Sequence, residues 1–458
     1  MSKIKKVYFI GIKGVAMSGL AVICKQRGLE VCGSDVSEKF ITDKILTKHD
    51  IEVVEEFLPQ NLDCNPDLVV IGTSWGAENI EVAESQNRGL LTISDSELRG
   101  ILSLEKRTIA VTGVHGKTTT TAMIAHVFNY AGLRPSFLVG TGTVPDLQGN
   151  AAWSNGQHFI VEGDEYVRSK QEKVAKFLDL TPAISVITSL EWEHVDVYPD
   201  LATLESAFGL LVDKTRDLVV ACGDWPSVKK IFSDKSKPTI RYGFEDGNDF
   251  IAYDLDEGFD QTSFKLKNAN QDLGSFTINL FGRHNVLNAV AAILVGRQEG
   301  IALPKIEQAL KTFHGTERRF DISQKNDMVF VDDYGHHPTE IKTTLQAVRH
   351  RYPTKKIWCV FQPHMVSRTK ALLADFSQSF GDVDRVIFAD IFASAREQGQ
   401  DFTSRDLADV TRQYHQDVVY VGDLNETINY LRKNLPDQVV LVTMGAGDVY
   451  RVRDKLMI

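Results

Sequence analysis

What the chain is short of sets its first bounds. Among 458 residues there are five cysteines (Cys24, Cys32, Cys64, Cys222 and Cys359), scattered and without a CxxC pair. An odd, dispersed set fits neither a disulfide framework nor a zinc ribbon. It suits reduced core thiols, and a cytoplasmic protein is the expectation. No run of 18 apolar residues occurs, so no membrane-spanning helix is expected. The opening MSKIKKVYFI is basic, but its apolar run is too short and too soon broken by glycine for a signal peptide. Basic charge is in deficit: 51 Lys and Arg against 61 Asp and Glu leave a net charge of −10. A nucleic-acid surface needs clustered cations, so that class of partner is excluded. Any phosphate-bearing ligand has to be met by local loops. Repeats and low-complexity tracts are absent too.

What is present is ordinary globular material, 43% hydrophobic and 24% charged, and the length suggests about three domains. The most informative stretch runs from Thr108 to Tyr130, TIAVTGVHGKTTTTAMIAHVFNY. An apolar strand (Ile109, Ala110, Val111) meets a glycine loop. A helical pattern follows at once, with Met123, Ile124, Val127, Phe128 and Ala131 on one face. Strand, glycine loop and helix make a phosphate cradle. Glycines let backbone N–H groups turn toward the anion, and the helix N-terminus adds partial positive charge. Lys117 reaches the terminal phosphates and the Thr118 hydroxyl can hold magnesium. The loop Gly113, Val114, His115, Gly116, Lys117, Thr118, Thr119 is GxxGKT, shorter than GxxxxGK[ST], whose first glycine falls on Val111. ATP with Mg2+ is the expected ligand.

An α/β chain of three domains is expected around this cradle: residues 1–106, 107–315 and 316–458. In the first, strand Val7–Ile10 precedes GIKGVAMSG and a helix, and a second strand leads to Gly33-Ser34-Asp35. That is a Rossmann-like start, but Lys13 takes the middle glycine of GxGxxG, so NAD, a merely structural turn and another diphosphate ligand all stay open. Strand Leu68–Ile71 ends in Gly72-Thr73-Ser74, placing Thr73 and Ser74 at a ligand-facing edge. In the central domain, strand His158–Val161 ends in Glu162-Gly163-Asp164-Glu165, where a phosphate-cradle protein keeps a magnesium ligand. A second strand, Ala183–Thr188, leads into Ser189-Leu190-Glu191-Trp192-Glu193-His194-Val195-Asp196, polar residues that include a histidine. Alone, His194 reads as a loop histidine; after the cradle it reads as a ligand of a second magnesium. Short strands from Leu218 to Asn279 form a small β-rich insertion. Asn285, at the start of a helix expected to Glu299, either caps it or faces a base. The third domain alternates strands and helices, with polar clusters after its strands: Asp333 and His336, then His364, then Gly445-Ala446-Gly447-Asp448. Three glycine turns suggest three ligands: a diphosphate compound, ATP, and a carboxylate gripped by Arg and His. ATP, a carboxylate and an amine together suggest amide-bond formation through an acyl phosphate.

The segments GIKGVAMSGLA with GSD, TGVHGKTTTT, VEGDEY, EHVDVY, FGRHNVLNA, ERRF, DDYGHHPTE, FQPH and TMGAGD resemble the Mur ligases, the ATP-dependent amide ligases of peptidoglycan synthesis. The likeness spans nearly the whole chain and is nearest to the alanine-adding branch. It implies a Rossmann-like N-terminal domain for a UDP-sugar, a central P-loop ATPase-type domain, and a Rossmann-like C-terminal domain for the incoming amino acid. The implied substrates are UDP-N-acetylmuramate and L-alanine, or a short peptide. It also implies roles. Gly14, Ala16, Met17 and Asp35 would meet the UDP-sugar. Thr118 and Glu162 would hold one magnesium and His194 the second. Asn285, Arg319 and Asp333 would hold the nucleotide. His336 and Arg368 would face the amino acid, with His364 nearby. Lys117, His115, His194 and Glu162 form the expected catalytic set, with His115 near the point where the substrate carboxylate meets the γ-phosphate.

The chain departs from the pattern in places. Met365 stands where an arginine is usual after FQPH, and Ser189-Leu190 replace an asparagine-containing strand end. The region around Phe208 offers no lysine for carbamylation, as the alanine-adding branch implies. Lys170, Lys173 and Lys176 after VEGDEY give a likeness to the ligase that recycles murein tripeptide. Other readings are a catalytically silent nucleotide-dependent binding protein and, least supported, a dehydrogenase.

Overall fold

The structure is a computed structural model that describes residues 3–169, 172–232, 237–259, 261–269, 271–392 and 401–458. Lys170 and Asn270 lie outside the described residues. Three sheets follow one another along the chain, of five, ten and six strands. In the first, Lys6–Ile10 sits centrally, with Glu30–Ser34 on one side and Leu68–Ile71 on the other, both parallel. The strand order reverses at this central strand. The turn at Gly11 and the turn at Gly72 therefore share one edge.

The central sheet is built about Arg107–Thr112, which lies between Ile184–Ile187 and His158–Glu162. Register aligns their ends: Val111 pairs with Glu162 on one side and Thr112 with Ile187 on the other. The glycine loop is thus flanked by both acidic strand ends. The helix Lys117–Tyr130 that follows is buried nearly all round and packs on Arg283–Gln298. Both helices are apolar or small on several faces, as buried helices must be. The β-rich segment prolongs this same sheet. Thr239–Gly243 runs parallel to Leu218–Cys222, and Phe250–Glu257, Thr262–Asn268 and Asp272–Ile278 complete its edge, the last two pairings antiparallel. Phe264, Leu266, Phe276 and Ile278 are buried at alternate positions, which fixes one apolar face against the helices.

In the third sheet Val439–Met444 lies between Met328–Asp333 and Lys356–Phe361. After strand Lys356–Phe361 come two short helices, Val366–Ala371 and Leu373–Ser377, parted where Leu372 leaves helical geometry and buries its side chain. Ties between the sheets are direct: Arg451 bonds Glu38 Oε1 at 3.0 Å, and Thr141 Oγ1 donates to Glu317 O at 3.2 Å. No helix among the described residues is long and apolar enough to cross a membrane.

Phe128 is fully buried between the cradle helix and His158, with ring centroids 5.0 Å apart. Phe128→Ala is expected to lower the stability of the central sheet by about 3–5 kcal/mol. Urea unfolding followed by hydrogen exchange on Arg107–Thr112 checks it; an unchanged midpoint would mean that the helix does not close the core.

Candidate active site

Two backbone conformations make the cradle. Gly113 has φ 123° and Gly116 φ 80°, values that side chains rarely adopt. A Cβ at Gly116 would also come within 2.5 Å of Asn288 Oδ1. Lys117 Nζ donates to Gly113 O at 2.6 Å and pairs with Glu165 Oε2 at 2.9 Å. Burial works against its charge, but Glu165, Glu162 and Asp164 outweigh that and raise its pKa. Thr118 Oγ1 donates to Glu162 Oε1 at 3.1 Å, and Gly140 N donates to the other oxygen at 2.8 Å. Burial raises the Glu162 pKa, with Lys117 opposing. His194, in the left-handed region at φ 54°, sets Nε2 2.9 Å from Glu165 Oε1. The ligand atoms of Asp164, Glu165 and His194 all lie within 4.8 Å of one another. Oxygen-rich and anionic, this corner fits a hard divalent cation. Glu165 is a participant that sequence reasoning passed over. Its only signal was its place three residues after Glu162.

On the other side of the loop opens a cleft of about 860 Å³ between the central and third sheets. His115, Gly116, Thr119, Asn285, Arg319 and Asp333 all line it, so these expected nucleotide residues come together. Trp225, Leu280, Leu287 and Phe320 supply apolar walls. Asn285 Oδ1 accepts from Asn288 Nδ2 at 3.0 Å, and Asn288 Oδ1 accepts from Thr120 Oγ1 at 3.0 Å. Asn288, one helical turn after Asn285, is a second residue that was missed. Asp333 accepts from Gly335 N and Phe320 N at 2.7 and 2.9 Å. Burial pushes its carboxyl up to about 6 against the pull of Arg319. Gly113, Val114, Lys117 and Thr118 do not line the cleft.

His115 bridges the two sheets. Its Nδ1 is 3.0 Å from Glu340 Oε1, and its Nε2 bonds Glu191. Its backbone N–H donates to Ser189 Oγ at 2.7 Å, so Ser189 acts in the loop even without an asparagine. Burial disfavours the imidazolium, yet Glu340 and Glu191 prevail and raise its pKa to about 10. Glu191 and Glu340 carried no expectation; nothing short of their spatial meeting at His115 would have revealed them. His337 Nδ1 also lies 3.3 Å from Glu191.

In the third sheet His336 and His364 stand with ring centroids 6.3 Å apart. Burial, then Arg368, drives the His336 pKa down to about 3, so the ring is neutral. Arg368 Nε donates to Glu193 Oε1 at 2.7 Å. Met365 is buried, at φ 69°, at the start of the same helix. Phe208 is buried against Phe177. Lys173 is exposed, and Lys176 is buried 3.4 Å from Asp95 and 3.7 Å from Asp164.

The first-sheet turn lies apart from these groups. Gly14 is exposed and Ala16 half-buried, whereas the Met17 side chain belongs to the core, leaving its backbone for a ligand. Asp35 accepts from Lys13 N and Val36 N at 2.7 and 2.8 Å, which spends its oxygens on the turn itself. Lys13 does not fill the turn. Its Nζ folds away to Val36 O, Glu38 O and Glu55 Oε1 at 2.8–2.9 Å. That explains how a lysine sits where a dinucleotide fingerprint has glycine. Thr73 Oγ1 donates to Asp95 Oδ1 at 2.9 Å, and Ser74 is exposed.

Comparison with known proteins gives the same frame. Residues 6–107 match the Mur ligase family, catalytic domain; residues 111–296 match the Mur ligase middle domain; residues 318–447 match the Mur ligase, glutamate ligase domain. The UDP-N-acetylmuramate–L-alanine ligase of Pediococcus pentosaceus is 38% identical over 459 residues, 98% of this chain and 97% of its own. A crystal structure of the UDP-N-acetylmuramate–alanine ligase of Thermotoga maritima is similar in fold, with TM-score 0.83 at 24% identity, covering 98% of this chain and 97% of that one. A murein peptide ligase of Psychrobacter arcticus follows, with TM-score 0.76 at 22% identity, covering 99% and 98%.

The Glu191–His115–Glu340 bridge has a pH signature. His115 is held at about 10 against an ordinary 6.5. Its stabilisation is therefore complete below the lower value and lost as pH rises through the upper one. Thermal melts of the wild type from about pH 6 to about 10.5 should show a decline on the order of 1–3 kcal/mol. His115→Gln should lack that decline; parallel curves for the two proteins would mean the ring carries no charge.

Proposed function

The chain belongs to the Mur ligase family, and on that premise we propose that it joins L-alanine to UDP-N-acetylmuramate, using ATP, through an acyl phosphate. What supports the reading most is the linking of three features. A lysine-bearing phosphate cradle and a carboxylate and histidine corner meet at Glu165, the cradle's His115, Gly116 and Thr119 line the cleft, and Glu193, beside His194, takes an arginine from the third sheet. A carboxylate is a poor electrophile. Phosphorylation gives it a leaving group that an amine can displace.

In this reading the nucleotide base lies against Trp225, Leu280 and Leu287, with Asn285, Arg319 and Asp333 around it. The cradle N–H groups hold its phosphates. Lys117 leaves Glu165 to follow charge on the moving phosphoryl group, a preorganised donor in a water-poor site. Thr118 and Glu162, with His194, Glu165 and Asp164, would hold magnesium, which when bound neutralises phosphate charge. The cationic His115 stands at the loop apex, between the phosphates and the third sheet. Arg368 and the neutral His336 face the amino acid. The first-sheet turn, from Gly14 to Met17, offers backbone N–H groups to the UDP-sugar diphosphate, with Thr73 and Ser74 beside it. This reading requires the bound ligands to keep water from an acyl phosphate that would otherwise hydrolyse.

Recycling of a tripeptide is less supported. Relatives at 38% and 36% identity over nearly the whole chain carry the alanine-ligase name, while murein peptide ligase structures are 22% identical over 99% of it or 30% identical over 69%. A dehydrogenase has no support from the first-sheet turn.

Two measurements check this reading. Purified protein with UDP-N-acetylmuramate, Mg2+ and ATP should release phosphate only when an amino acid is added, and L-alanine should be preferred over other amino acids and the tripeptide. Failure of every amine to support turnover would sink it. Lys117→Ala should lower kcat by about 10²–10³-fold, ~3 kcal/mol of transition-state stabilisation. Near-normal turnover in that variant would remove the cradle from the chemistry.

A further inference from the structure

We propose that Glu193 is the ammonium-holding residue of the amine site, and that the amino acid binds by inserting itself into the Arg368–Glu193 ion pair. The inference rests on the ligase reading above and adds a residue to it. Glu193 lies in the loop after strand Ile184–Ile187; Arg368 lies on helix Val366–Ala371 of the third sheet. Their side chains are 4% and 5% exposed, with Nε and Oε1 2.7 Å apart. Burying two charges costs more than their attraction commonly returns, so such a pair is a poor device for stability alone. Here it also spans two domains, beside the residue that carries the metal-ligating imidazole, His194.

Further polar atoms face this pair. His337 Nε2 is buried, makes no hydrogen bond among the described residues, and faces Glu193 Oε2 from 3.9 Å. Arg368 Nη1 donates to His364 O at 3.4 Å. Glu193 thus sets one oxygen on the guanidinium and the other toward the His337 ring. The neighbouring imidazole of His336 is neutral. Met365, buried at the start of the arginine's helix, brings no charge.

An α-amino acid carries its carboxylate and its ammonium on one carbon. Both charges can therefore reach a cation and an anion that already touch. On insertion the carboxylate takes Arg368 and the ammonium takes Glu193, so each buried charge exchanges one opposite partner for another. The desolvation is already done in the empty site, and no charge is left bare. A ligand with only one of the two charges strands the other half of the pair. Selection for a free α-amino acid over a simple amine or a simple acid follows from that.

Ligand-observed NMR with alaninamide, which lacks the carboxylate, and propionate, which lacks the ammonium, tests the assignment on the full chain. The wild type should bind both probes weakly. Glu193→Gln should weaken alaninamide by about tenfold or more and leave propionate within about twofold. Arg368→Lys should do the reverse. In turnover assays Glu193→Gln should raise the KM for L-alanine by a similar factor, with the KM for ATP little changed. Equal weakening of both probes by Glu193→Gln would mark the pair as a structural clamp and overturn the proposal, as would binding of neither probe by the wild type. Selective loss of alaninamide in a protein that fails to turn over alanine would leave this assignment standing while defeating the ligase reading.

Discussion

The site depends on keeping a buried ammonium among buried carboxylates. Lys117 is held over Glu165 by a strand end and a glycine loop, with Glu162 and Asp164 close enough to raise its pKa. None of these charges could be buried alone. Their cost is met because three parallel strands end together, bringing the loop and two acidic segments to one edge. The same register places Thr118 on Glu162 and His194 on Glu165. The cradle and the carboxylate and histidine corner thus share one set of anions.

The second theme is charge carried across a domain boundary. His115 joins Glu191 to Glu340, and Arg368 joins the third sheet to Glu193. Both bridges join the central sheet's loops to the third sheet. On the proposed reading an anionic nucleotide meets the first and a zwitterionic amine the second.

The chemistry-bearing residues were legible where they are local. The strand, glycine loop and helix at Thr108–Tyr130 declare themselves in order, because backbone conformation and anion binding are set by neighbours in the chain. Strands Lys356–Phe361, Arg385–Ala389 and Val439–Met444 were equally plain, being unbroken apolar runs buried on both faces. The break at Leu372 was not, since no proline or glycine marks it. Nor could the sequence tell that the β-rich segment prolongs the central sheet, because alternation shows which face is buried and not what it is buried against.

Residue types and their order along the chain thus determined a cradle, acidic strand ends and an arginine and histidine-bearing third sheet. The tertiary structure alone decided the pairings. Glu165 meets both Lys117 and His194; Glu191 and Glu340 make His115 a cation; Glu193 takes Arg368; Asn288 braces Asn285. Asp35 accepts from Lys13 N and Val36 N on its own loop, and the Lys13 side chain folds away from the turn. The charged partners lie far apart in the chain, whereas Asn285 and Asn288 are one turn apart on one helix. Which carboxylate faces which cation follows from sheet order and register, which local sequence does not encode.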